Sequence, residues 1–448
     1  MGEIRCRKER YTAVAGLGAT GLACVRHLRA RGVPVAVTDS RPEPPQLAAL
    51  RAEHPHVPVL AGGLDRELLA AAERIIVSPG LDRRRGVLGE LRAGGPPQVG
   101  ELTLFAEAAR APVCAVTGSN GKSTVVSLLG AMARTAGLDA AVGGNLGTPA
   151  LDLLRAAPAD GYLLEVSSFQ LEACPGFRAD VAAVLNVSAD HMDRYASVDD
   201  YAAAKARVLD GATTAVVNAD DPRARAMAGR ARSVRRFGLE QPADYTAIER
   251  DGEAWLAADG QPQLPADALR LPGATHRANA LAAMALADAW GIPRAAQHAA
   301  LRAFTGLPHR MEVVAERGGV RWINDSKATN VGAAVAAIRG AGVPVVLIAG
   351  GQGKGADFAP LAEACAEHAR AVVLMGEDAP AIAAALAERV PVVRAEGMAD
   401  AVRRAAEQAS PGDAVLLAPA CASFDAYTGF EQRGTAFREA VLGEVAHA

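Results

Sequence analysis

Residues 113–129, VCAVTGSNGKSTVVSLL, are the stretch on which the fold turns. VCAVTG is a short apolar run that stops at a glycine. From Ser123 the pattern changes. Val125, Leu128, Leu129 and Met132 fall at i, i+3, i+4 and i+7, one buried stripe of a helix. The sequence therefore predicts strand, glycine loop, helix. Glycines let backbone amides approach a phosphate closely, and a helix N-terminus adds unpaired N–H groups with partial positive charge. In such a loop Lys122 reaches the β- and γ-phosphates of ATP and the Ser123 hydroxyl ligates Mg²⁺. The predicted ATP loop is Gly118, Ser119, Asn120, Gly121, Lys122, Ser123 and Thr124. A full phosphate loop has another glycine five residues before Gly121. Val116 stands there, so the form is shortened.

The same alternation extends outward. Upstream, TAVAG, the helical pattern GLACVRHLRARG and VPVAVTD repeat strand–helix–strand, and RIIVSPG reads as another strand. Glycine and proline cluster in AGGPPQVGE, 93–101, which marks a boundary. Downstream, GYLLEV, VAAVLNV and TAVVNAD read as strands. Residues 230–272 are less regular and read as a small β excursion. NALAAMALADAWG reads as a helix ended by Gly291 and Pro293. After GLPHR, the runs VRWIN, VPVVLIAGG, AVVLMGE and DAVLLAP alternate with alanine-rich helices, a doubly wound pattern. The expected architecture is α/β in three domains: Rossmann-like over 1–100, a central P-loop ATPase-like parallel sheet over 101–306, and a second Rossmann-like unit over 307–448.

Composition narrows the function classes. Half of the 448 residues are hydrophobic, so each domain can bury a core. A net charge of -3 gives no basic footprint for nucleic acid or anionic membrane. No apolar run approaches the ~18 residues of a membrane span. The start, MGEIRCRKERYTAV, lacks the apolar core of a signal peptide. Six cysteines without CxxC pairing read as buried thiols, and the expected location is the cytoplasm. Of 47 basic residues only five are lysine: Lys8, Lys122, Lys205, Lys327 and Lys354. Genome bias drifts exchangeable lysines to arginine. A lysine persists where a compact ammonium or its nucleophilic amine is needed.

Three further features point to chemistry. Glu165 ends an apolar strand, at the edge where α/β sheets place ligands. His191 follows the strand VLNVS between Asp190 and Asp193, and is either a ligand or a hydrogen-bonded surface histidine. Lys205 lies among apolar neighbours on YAAAKARVL, and a snorkelling lysine is the plain alternative. Gly16-Leu17-Gly18-Ala19-Thr20-Gly21, with Asp39 ending the next strand, has the form of a dinucleotide fingerprint. The ATP loop in the second region argues against a dehydrogenase.

TGSNGKST is similar to the ATP loop of the Mur ligase family, whose relatives include folylpolyglutamate synthases. LLEVSSFQLE (163–172), LNVSADHMDRY (185–195), VNADD (217–221), GLPHRME (306–312), INDSKATN (323–330) and ACASFDAYTGFEQRG (420–434) resemble its D-glutamate-adding members over essentially the whole chain. The resemblance implies an ATP-dependent amide ligase of peptidoglycan precursor synthesis. It would join D-glutamate to UDP-N-acetylmuramoyl-L-alanine through an acyl phosphate, as a monomer acting on small molecules. The resemblance also assigns residues. Ser123, Glu165 and His191 would hold Mg²⁺, with Lys205 carbamylated beside them as a further anionic ligand. Lys122, Glu165, His191 and Lys205 form the catalytic set. Ala19, Thr20, Ser40, Arg41, Ser78, Gly80 and Asn145 would bind the UDP-substrate. Asn279, Arg310 and Asp325 would contact ATP. Lys327, Thr329, Lys354, Ser423, Phe424 and Phe430 would form the D-glutamate pocket; core packing is the plain reading of the two phenylalanines. The family pattern HNxxN is altered here, with His276 where asparagine is expected.

Overall fold

The computed structural model describes residues 10–154, 159–271, 273–387 and 389–443. Cys6, Lys8 and the chain start lie outside them. The strands are grouped in three separate sheets. The first has β1 (Thr12–Ala15), β2 (Val35–Asp39), β3 (Val59–Ala61), β4 (Arg74–Val77) and β5 (Gln98–Val99). All are parallel, in the order β3-β2-β1-β4-β5. The order reverses at β1, so a crevice opens between the ends of β1 and β4.

The second sheet has β6 (Val113–Thr117), β7 (Ala140–Gly144), β8 (Gly161–Glu165), β9 (Val181–Val184), β10 (Thr214–Asn218), β11 (Ser233–Phe237), β12 (Tyr245–Arg250), β13 (Glu253–Ala258) and β14 (Gln261–Pro265). Its order is β14-β13-β12-β11-β10-β9-β6-β8-β7. The run β7 to β12 is parallel, while β12, β13 and β14 form an antiparallel meander at one edge. The β excursion expected at 230–272 is this edge. The predicted helix spans Ala274–Trp290 and ends at Gly291 in the left-handed region.

The third sheet has β15 (Glu312–Arg317), β16 (Val320–Asn324), β17 (Val345–Ala349), β18 (Ala369–Leu374), β19 (Val392–Arg394) and β20 (Ala414–Leu417). Its order is β15-β16-β20-β17-β18-β19, parallel apart from β15. Central strands such as β6, β8 and β17 are buried on both faces. That is why they read as unbroken apolar runs rather than alternating ones.

The first two sheets share one apolar core. It runs from Val14 and Leu22 through Leu102 and Phe105 to Leu164 and Ala182. The helices Glu101–Ala108 and Ala150–Leu153 fill the joint. Glu101 is buried there and accepts the Leu151 N–H at 3.0 Å, and burial pushes its carboxyl up to about 7. The clusters around the third sheet contain only residues of that sheet's own region. Five cysteines, Cys24, Cys114, Cys174, Cys365 and Cys421, are free and buried. No helix among the described residues is long and apolar enough to cross a membrane.

Candidate active site

β6 lies between β8 and β9, and its C-terminal end delivers the glycine loop into the helix Lys122–Thr135. Gly121 caps that helix with φ 84°, and a Cβ there would lie 2.6 Å from Asn279 Oδ1. Only glycine serves both needs. The loop is braced from the segment after β9. Asn186 accepts the Asn120 N–H at 2.8 Å and donates to the Asn120 carbonyl at 3.1 Å. Lys122 Nζ folds over the loop and donates to the carbonyls of Gly118 (2.8 Å) and Ser119 (2.9 Å).

Ser123 is the hub of the site. Its hydroxyl donates to Glu165 at the tip of β8, and Arg310 donates to its oxygen at 2.6 Å. Asn145 Nδ2 donates to the other Glu165 oxygen at 2.7 Å. Burial works to raise the Glu165 carboxyl. The Lys122 charge and the hydrogen bonds from Ser123 and Asn145 outweigh it and hold the group below its ordinary range. Touching hydroxyl and carboxylate oxygens are hard donors that suit Mg²⁺, which takes its remaining ligands from phosphate and water. Among the described residues no group of three or more His, Cys, Asp or Glu side chains could hold a metal unaided.

Lys205 does not snorkel. It is 1% exposed, and its Nζ donates to the Gly118 carbonyl at 2.8 Å and sits 4.3 Å from the Tyr201 ring centre. Burial, reinforced by the nearby Lys122, pulls its ammonium well below the usual lysine range. His191 has a left-handed backbone, φ 58°, and its ring lies edge-on to Phe169 with centroids 4.8 Å apart. Lys122, Ser123, Glu165, His191 and Lys205 all line one cleft, with about 890 Å³ of empty space that includes open solvent.

The third domain supplies the opposite wall. Arg310, Lys327, Thr329 and Asn330 line the same cleft. Asn330 donates to Asp190 at 3.0 Å across the gap. Lys327 Nζ is 4.0 Å from the Phe430 ring centre, and burial lowers its ammonium to about 8, helped by Arg310 and Lys122. Burial pushes the Asp325 carboxyl up to about 7, against the pull of Arg310. A neighbouring cleft of about 650 Å³ lies between Asn279 and His276 on one side and the alanine face Ala333, Ala336 and Ala337 on the other. Lys354, Ser423 and Phe424 do not line the main cleft. Phe424 is 66% exposed, so core packing does not describe it, whereas Ser423 is buried.

In the first domain, Ala19, Thr20, Ser40, Arg41, Ser78 and Gly80 gather at the C-terminal ends of β1, β2 and β4. Ser78 Oγ donates to the Gly16 carbonyl at 2.8 Å, tying the two loops. Asp39 is turned inward. It accepts the Leu17 N–H at 2.6 Å and pairs with Arg41, and its carboxyl falls to about 2 although burial opposes this. That carboxylate is already engaged, and so is not free to grip a ribose as the fingerprint would ask.

Two residues escaped the sequence reading. Arg433, 1% exposed, donates to Ser326 and to the Cys421 carbonyl and so knits the loops after β16 and β20. Arg194 joins the first domain to the second. Both stand inside motifs quoted above, but nothing local distinguishes them from a surface arginine.

A phosphate loop with a hydroxyl–carboxylate pair, facing cationic groups across a cleft, defines an ATP-dependent enzyme. The Mur ligase MurD-like N-terminal domain matches residues 10–100, the Mur ligase middle domain 116–287, and the Mur ligase glutamate ligase domain 309–421. A UDP-N-acetylmuramoylalanine--D-glutamate ligase of Nitrosococcus oceani is 52% identical over 436 residues, 96% of each chain. One of Methylococcus capsulatus is 53% identical over 430 residues, 96% of this chain and 94% of that one. The chain belongs to the Mur ligase family. Among solved structures, a UDP-N-acetylmuramate-alanine ligase of Thermotoga maritima superposes with a TM-score of 0.63 at 19% identity, covering 97% of this chain and 99% of that one, a likeness of fold alone.

Proposed function

We propose that the chain joins D-glutamate to the L-alanyl carboxylate of UDP-N-acetylmuramoyl-L-alanine at the expense of ATP. The observation that carries the proposal is the single cleft in which Lys122, Ser123 and Glu165 of the central domain face Arg310 and Lys327 of the third. A carboxylate is a poor acyl donor because oxide is a poor leaving group. Phosphorylation by ATP converts it to an acyl phosphate, and the glutamate amine then displaces phosphate to form the amide. Lys122 neutralises the phosphates as charge shifts to ADP. Ser123 and Glu165 would hold Mg²⁺, which supplies Lewis-acid stabilisation of phosphoryl oxygens. Lys327, with its lowered ammonium, offers a cation to one carboxylate of the incoming amino acid.

Lys205 fits a carbamate. A neutral amine attacks CO₂, loses a proton and becomes an anion, and burial beside Lys122 favours the neutral amine. The chain is taken as a cytoplasmic monomer. The test of the whole reading is phosphate release with UDP-N-acetylmuramoyl-L-alanine, ATP and a panel of amino acids. D-Glutamate should drive turnover at least 100-fold above L-glutamate. Equal rates with both enantiomers, or a preference for another amino acid, would leave only the ligase class.

A further inference from the structure

Arg194 occupies an unusual position between two domains. Its guanidinium donates to the carbonyls of Pro79 (3.4 Å) and Leu81 (3.3 Å), in the loop that follows β4 of the first domain. The same group lies 3.8 Å from Asp82 of that loop. Its Cζ sits 4.2 Å from the ring centre of Phe169, in the second domain, and the side chain is only 15% exposed. The loop answers in kind. Arg84 donates to the Arg194 carbonyl and Arg85 to the Asp193 carbonyl.

Phe169 is the middle of a chain of contacts. Its ring also meets the His191 ring, edge-on at 4.8 Å, and stacks on Tyr195 at 5.9 Å. Arg194 also reaches His191 through the backbone, because the Arg194 N–H donates to the His191 carbonyl at 2.9 Å and closes one turn. That turn holds His191 in its left-handed conformation, which a non-glycine residue adopts only when its surroundings enforce it. At the far end, Ser78 ties the same β4 loop to the Gly16 carbonyl of the first glycine loop. A continuous path therefore runs from the first domain's crevice through Ser78, the Pro79 and Leu81 carbonyls, Arg194 and Phe169 to His191 on the wall of the central cleft.

We infer that Arg194 is a positioning residue that couples occupancy of the first-domain crevice to the placement of His191 beside the phosphate loop. It rests on the reading of that crevice as the uridine diphosphate site. A ligand seated there fixes the Ser78–Asp82 loop. The loop carbonyls fix the guanidinium plane, and the plane fixes Phe169 and the turn carrying His191. Arginine suits the task and lysine does not. A planar fork can donate to two carbonyls while stacking on an aromatic face, whereas an ammonium is a point charge. By linkage, the nucleotide must strengthen binding of the UDP-substrate by the same factor.

The experiment is calorimetric titration of the full-length protein with a non-hydrolysable ATP analogue and Mg²⁺, with and without saturating UDP-N-acetylmuramoyl-L-alanine. Wild type should bind the analogue at least about fivefold tighter when the UDP-substrate is present. Arg194→Ala should bind each ligand alone within about threefold of wild type, with the coupling factor falling to about one. Arg194→Lys should not restore it. Should Arg194→Ala fold poorly, Phe169→Leu cuts the same path while leaving the loop carbonyls paired, and it too should abolish coupling. Undiminished coupling in either variant, or none in wild type, overturns the inference and leaves the functional reading intact. Failure of wild type to bind the UDP-substrate at all removes the functional reading and the inference with it.

Discussion

The chain contains two glycine loops built alike, at the tips of β1 and β6. Each follows a buried strand, opens a helix and presents backbone N–H groups at a sheet's C-terminal edge. Their side chains differ. The first loop carries no lysine, and its Leu17 amide is already capped by Asp39. The second has Lys122 folded over it and Ser123 bonded to Glu165. One plan of strand, glycine loop and helix thus serves two ends. The first loop can seat an anion that is merely held. The second adds a lysine held by two loop carbonyls and a hydroxyl–carboxylate pair, the groups that the proposed phosphate transfer asks for. The turns differ in detail, with Gly18 extended at φ -89° ahead of the first helix and Gly121 left-handed at φ 84° ahead of the second, and the charged neighbours decide the chemistry.

That contrast can be broken most sharply at Lys122. Lys122→Ala should lower phosphate release by roughly 10³ or more, since one electrostatic stabiliser is worth about 10²–10³ and Lys122 is the cation proposed to meet the reacting phosphates. Calorimetry should still show UDP-substrate affinity within about threefold of wild type. Substantial turnover would mean that the second loop does not perform the chemistry.

Next is Lys205. Lys205→Ala should cost about 10² in rate, by the same reasoning for a lost anionic group. Formate or acetate should recover part of it, while Lys205→Arg should stay inactive. Full activity of Lys205→Ala in CO₂-depleted buffer would rule out a carbamate.

A milder effect belongs to the first loop. Arg41→Ala should raise KM for the UDP-substrate about tenfold and leave kcat within about twofold, the mark of binding made equally in ground and transition states. A fall in kcat at unchanged KM would show that the first loop is tied to the chemistry after all.

The smallest effect lies at the joint between the two regions. Glu101 has a carboxyl raised to about 7 in the folded chain, so the folded state holds a proton that the unfolded state loses above its ordinary range near 4.5. Stability from this group is therefore full below about pH 4.5 and falls as pH rises toward 7. Glu101→Gln should raise Tm at pH 8 by roughly 2 °C and change little at pH 4.5. An equal shift at both values would show that the proton is not involved.

The strands were legible because both faces of each are buried, which writes them as apolar runs. Short or partly exposed strands such as β3, β7 and β19 left no such trace. The second loop was legible because Gly121, Lys122 and Ser123 act through one local turn. The bonds of Arg310 to Ser123 and of Asn330 to Asp190 span 187 and 140 residues and join separate domains. No periodicity encodes them. Arg194 was invisible for the same reason: its partners Pro79 and Leu81 are backbone carbonyls, which any residue supplies.

The strand order of the third sheet bears on how the molecule comes into being. β20 lies between β16 and β17, although it is made after both. Until Ala414–Leu417 has been synthesised, β16 and β17 each present a bare edge, and the two halves of the sheet have nothing to join them. The wall that carries Lys327 and Asn330 grows from β16, so it waits on a strand made some 90 residues later. Bare parallel edges invite pairing with other chains. Interrupted translation is therefore most hazardous in this last stretch, after the first two sheets have already closed on their common core.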